Sequence, residues 1–163
     1  MSVQPIKKSL EKLNFLHESL LDISKEKTAI VKEGSVDKLQ SLLVKERKHV
    51  QALEQAEVKR QKEVEEWSAQ NNISLENATI TGILEAISDE QTKDELETAA
   101  IDLTNTITKL KQQEQLNQAL IQQSRQFVEL SLDMMKPSIR NMNYGGKETA
   151  SNSSERSVFD SKA

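Results

Sequence analysis

Ile30-Val31-Lys32-Glu33-Gly34-Ser35-Val36-Asp37-Lys38-Leu39, residues 30–39, joins two long stretches of helical periodicity through one glycine and one serine. Glycine suits the left-handed position just past a helix end, where a Cβ would be strained. A serine before the next helix offers its hydroxyl to the unbonded N–H groups of the first turn. A junction this short forces the flanking helices to fold back on each other as an antiparallel hairpin.

Upstream, the pattern predicts a helix from Ile6, just after Pro5, to about Lys32. Proline fits a first turn because its missing N–H would have no partner there. The seam reads Leu13, Leu16, Leu20, Ile23, Lys27, Ile30, in alternating steps of three and four. Downstream, a second helix is expected over Val36 to Gln70, with the seam Val36, Leu39, Leu43, Glu46, Val50, Leu53, Glu57, Arg60, Val64, Trp67. Glu57 and Arg60 are spaced to pair across one turn, and Trp67 is expected to plug the end of the hairpin.

Asn71 and Asn72 break the pattern, and residues 73–87 hold a short apolar element expected to cap the bundle. Ser88 with Gln91 forms a capping-box pair, and Asp89, Glu90, Asp94 and Glu95 favour a helix start. A third helix is expected to run to Lys136 and end before Pro137. The polar stretch from Asn141 to Ala163 has little apolar surface to offset its ordering entropy, which predicts disorder. The expected fold is all-α: an antiparallel bundle of three long helices over residues 1–140 and a disordered tail over 141–163.

Composition agrees. Aromatics are 3% of residues and charged side chains 29%, a balance suited to helices on narrow seams and unlike the aromatic, β-branched blocks of a sheet. With no cysteine, disulfide, thiolate-zinc and thiol chemistry are excluded. No apolar run approaches the ~18 residues of a membrane span, and no signal-peptide pattern opens the chain, so a cytoplasmic setting without membrane insertion is expected. A net charge of −4, with both signs interleaved, argues against nucleic-acid binding. His17 and His49 stand apart without ligand spacing, and no phosphate loop or nucleophile motif occurs. The reading is therefore a binding protein, with no enzyme activity, metal or cofactor expected. Monomer and dimer both remain open, with the monomer preferred.

Helix length points to where binding occurs. At 1.5 Å per residue the three helices span roughly 40, 50 and 70 Å, so the last dozen or so residues of the third are expected to outrun the hairpin. That stretch carries two apolar stripes: Asn117, Ile121, Ser124, Val128, Ser131, Met135, and Leu116, Leu120, Gln123, Phe127, Leu130, Met134. One seam needs one stripe, and a second asks for further cover. The bundle itself or a second copy would supply it equally well. The adjacent methionines favour an adaptable partner surface.

Several segments, in order, resemble the FlgN-type flagellar export chaperones. Glu26-Lys27 through Gly34-Ser35 to Leu39 is similar to that family's first hairpin, and Leu53-Glu54 with Arg60 to the end of its second helix. Leu116-Asn117-Gln118-Ala119-Leu120-Ile121 resembles its Asn-centred third-helix segment, although Gln113 or Glu114 stands where the family often has a second asparagine. Lys136-Pro137 and Tyr144-Gly145-Gly146 are similar to its C-terminal motifs. The resemblance implies a cytoplasmic chaperone of type III export that binds hook-filament junction proteins, prevents their premature assembly and delivers them to the export gate. It implies cargo binding through the C-terminal helical region, where the apolar stripes make Leu116, Asn117, Leu120, Ile121, Phe127, Val128, Leu130, Met134 and Met135 the expected cargo-binding residues, and gate docking through Tyr144 and Gly145. A coiled-coil adaptor or scaffold, or an export chaperone for the filament cap or filament protein, are the alternatives.

Overall fold

The computed structural model describes residues 2–143, with side chains through residue 135. Four α-helices, α1 (Gln4–Glu33), α2 (Val36–Gln70), α3 (Ile80–Ala86) and α4 (Glu90–Asn143), with a 3-10 turn at Leu75–Asn77, make an all-helical chain without strands among the described residues. The chain divides after Ile121 into two units.

The hairpin forms as its junction predicts. Gly34 sits at φ 77°, ψ 20°, its N–H bonded to the carbonyls of Ile30 (3.0 Å) and Val31 (3.2 Å). The Ser35 hydroxyl accepts the Lys38 N–H at 3.4 Å. α1 and α2 run antiparallel, since Ser9 bonds Glu63 while Lys27 pairs with Glu46. α4 runs parallel to α1. Lys7 meets Glu95, Ser24 meets Glu114 and Thr28 meets Asn117, at sequence separations of 88, 90 and 89.

The core of the first unit lies in two clusters. At the open end of the hairpin, Ile6 and Leu10 of α1, Val64 and Trp67 of α2, Ile83 of α3, and Leu96 and Ala99 of α4 pack together. Trp67 is buried there, in the plugging position expected of it. Towards the turn, Leu20, Ile23 and Ile30 meet Leu42, with Leu39, Leu53 and Leu110 packed against them. All six expected seam residues of α1 are buried, Lys27 included.

The α2 seam is corrected. Leu42 is 4% exposed while Leu43 is 43% and Val36 65% exposed, so near the turn the buried line passes one residue before the expected one; the expected Leu39, Glu46, Leu53, Glu57, Arg60, Val64 and Trp67 are buried or half-buried. Two adjacent leucines look alike in sequence. Here Leu42 is the one that packs against Leu20, Ile23 and Ile30 of α1, and the helix turns it inward. Glu57 and Arg60 pair as spaced, through Nε–Oε2 (2.8 Å) and Nη2–Oε1 (2.6 Å) contacts. The guanidinium holds the Glu57 carboxyl below its ordinary range.

Two helix ends also differ from expectation. α4 is capped by Asp89, not Ser88: its carboxylate accepts the Thr92 N–H at 2.9 Å and hydroxyl at 2.5 Å. A charged acceptor is favoured at a helix N-terminus, where the dipole is positive. At the other end α4 continues through Pro137 to Asn143. Proline there forfeits one N–H near the end of a 54-residue helix, which interrupts the ladder at a single rung. Residues 141–143, expected in the tail, are therefore helical, and the rest of the expected tail lies outside the described residues.

Candidate functional site

Along the first unit α4 presents one line of residues inward: Leu96, Ala99, Leu103, Thr106, Leu110, Gln113 and Asn117. Their steps alternate three and four, the spacing of a coiled-coil seam. The line is apolar at its start and becomes polar towards its end. Asn117 is 1% exposed; its amide nitrogen donates to the Ser24 carbonyl (2.9 Å) and hydroxyl (3.0 Å), and its oxygen accepts from Thr28. Asn117 thus faces α1, apart from the outward residues with which the sequence groups it. Leu120 is half-buried, whereas Leu116 and Ile121 are exposed.

In the second unit α4 carries Phe127, Val128, Leu130, Met134 and Met135, all exposed, with Phe127 at 70% and Met134 at 71%. Leu132, absent from the sequence-based set, is exposed with them. At about 100° per residue these six residues occupy an arc of roughly 200°. Arg125, Glu129 and Asp133 occupy the rest, and Arg125 pairs with Glu129 at 3.1 Å. An ordinary core-facing helix needs an apolar stripe of about 100°, so this arc is wide enough for cover from two directions.

The seam signal was legible in sequence; the inward direction of Asn117 was not, because an asparagine in an apolar stripe reads equally well as a surface or a buried polar residue.

Tyr144 and Gly145 lie outside the described residues. Both histidines bond within their own helices, His17 Nδ1 to the Leu13 carbonyl (2.8 Å) and His49 Nδ1 to that of Lys45 (3.0 Å). Among the described residues no group of His, Asp or Glu is arranged to hold a metal, and no helix is long and apolar enough to cross a membrane.

A family model described as FlgN protein matches residues 1–152. YvyG, described as an uncharacterized protein of Bacillus subtilis (strain 168), is 35% identical over 165 residues, covering 100% of both chains. No solved structure matches.

Proposed function

This chain belongs to the FlgN family of flagellar export chaperones, and from that premise we propose that its cargo is the hook-filament junction proteins, which it keeps from premature assembly and delivers to the type III export gate. It acts in the cytoplasm by stoichiometric binding, without catalysis or cofactor. The observation that supports a cargo site on α4 is the uncovered apolar arc around Phe127 and Met134. An amphipathic helix from the cargo would take Leu120, Phe127, Leu130 and Met134 as its anchors.

Gate docking is assigned to the segment after Asn143. Tyr144, the single tyrosine of the chain, combines a large contact area with few rotors and a hydroxyl for one directed hydrogen bond. Gly145 beside it allows a partner's backbone to approach closely. Cargo and gate then use different parts of the C-terminal region, and a loaded chaperone can present both at once.

The test is a calorimetric titration of the purified chain with junction, filament-cap and filament proteins in turn. Saturable binding selective for a junction protein is expected. Tighter binding of the cap or filament protein overturns the cargo assignment, and binding of none of the three overturns the export-chaperone mechanism proposed for this surface.

A further inference from the structure

We propose that a buried polar layer across α1, α2 and α4 is a register key, which sets the axial position of α4 on the hairpin. A seam that repeats every seven residues fits its partner nearly as well after a slip of one heptad, about 10 Å, when all its members are apolar. The three leucines and one alanine of the α4 line, Leu96, Ala99, Leu103 and Leu110, discriminate weakly among such slips. The layer discriminates strongly.

Its bonds interlock. Gln113 Nε2 donates to the Thr28 hydroxyl at 2.6 Å, and the Thr28 hydroxyl donates to Asn117. Asn117 donates to Ser24, and the Ser24 hydroxyl donates to Glu114 Oε1 at 2.7 Å. Beside them the Lys27 ammonium, its side chain 8% exposed, bridges Glu46 of α2 at 2.5 Å and Glu114 of α4 at 3.3 Å. All the α1–α4 contacts are satisfied together only at the observed separation of about 89 residues. A slip of seven residues one way places Leu110 opposite Thr28; the other way it carries Asn117 against Leu21. Either leaves Asn117, Ser24 and Thr28 dehydrated without their partners and takes Glu114 from Lys27.

Single polar residues at seam positions fix register at a cost in stability, and this layer has the composition for that role. On α1 it lies in the last third of the helix, at Ser24, Lys27 and Thr28. A one-heptad slip keeps the same face of α4 inward, so fixing α4 there sets how far along that inward line the cover from α1 extends. The inference is independent of which cargo the chain carries.

The chain has no cysteine, so two can be introduced without interference. Spin labels at the exposed positions Glu11 and Gln112 stand about 18 Å apart along the axis at the observed register, and about 8 or 28 Å apart after a one-heptad slip. The native chain is expected to give one distance. Ser24→Ala, Thr28→Val, Glu114→Gln and Asn117→Leu combined are expected to keep full helicity and at least the native melting temperature, while adding a second distance at a slipped position. Asn117→Leu alone should add a smaller fraction of the same population. A single native distance in both variants overturns the proposal. So does loss of helicity in the combined variant, because the layer would then be needed for folding itself.

Discussion

Phe127→Ala separates a binding surface from a core. Phe127 is 70% exposed, so its removal takes little buried area from the free chain. Alanine is also the better helix former, and the change should leave the free chain's stability within about 0.5 kcal/mol. A buried aromatic side chain covers roughly 150–250 Å², so seven-tenths of it represents about 100–175 Å² that a partner would cover. At about 25 cal/mol per Å² this corresponds to roughly 2.5–4.5 kcal/mol, near the 2–4 kcal/mol of a typical aromatic hot spot. Titration calorimetry against the junction protein should therefore show affinity weakened by about 30- to 1,000-fold, since 1.4 kcal/mol is tenfold. Far-ultraviolet circular dichroism and the thermal midpoint should stay as in the native chain. Unfolding of the free variant, with normal binding by the remaining folded fraction, would refute the reasoning: Phe127 would then be a core residue.

Leu42→Ala should destabilise the chain by about 2–4 kcal/mol in urea unfolding and Leu43→Ala by well under 1, because only the first creates a cavity in the α1–α2 seam. Gly82→Ala should lower stability by about 1–3 kcal/mol although alanine is the better helix former, because its Cβ would stand 2.0 Å from the Asn77 carbonyl oxygen; a stabilised variant would refute that contact. The Glu57 carboxyl is depressed in the folded chain by Arg60, so its contribution is present above the unfolded carboxyl range and is lost as pH falls through the lower folded value. Glu57→Gln should remove about 0.5 kcal/mol at pH 7 and show no difference from the native chain at pH 2. Tyr144→Ala should keep cargo affinity within a few-fold in calorimetry yet abolish binding to the export gate component and reduce junction-protein secretion. Loss of both activities, or of neither, contradicts the division between helix and tail.

Much of the fold was legible because helix boundaries here are set by local chemistry. Gly34 and Ser35 act within four residues of themselves, and α2 begins and ends at the expected Val36 and Gln70. What the sequence left unresolved depends on distant partners. Leu42 and Leu43 are distinguished by which of them meets Leu20, Ile23 and Ile30 on another helix. Asn117 is turned inward by Ser24 and Thr28, 93 and 89 residues away, and no local pattern reports that pairing. Pro137 misled the boundary for the opposite reason: the local rule is real, but a long helix tolerates one missing rung near its end.

The location of the core also explains why α4 can present an apolar face as wide as the one around Phe127 without holding the fold together. The hydrophobic clusters draw on α4 from Leu96 to Leu110, and the polar layer on it from Gln113 to Asn117. Phe127, Leu130, Leu132 and Met134 belong to neither cluster. Residues that contribute little to folding can keep apolar area available for a partner, and their substitution registers in binding before it registers in stability. The two methionines strengthen this division. Their flexible thioethers pack less specifically than leucine or isoleucine, a weakness in a core and an advantage on a surface that accommodates the helices of more than one cargo. Replacing Met134 and Met135 with isoleucine, which keeps the face apolar but removes its flexibility, should therefore leave the melting temperature nearly unchanged while narrowing the range of junction proteins bound. An unaltered range, with affinities within two-fold of native for each, would show that the breadth of the face and not its pliability governs recognition.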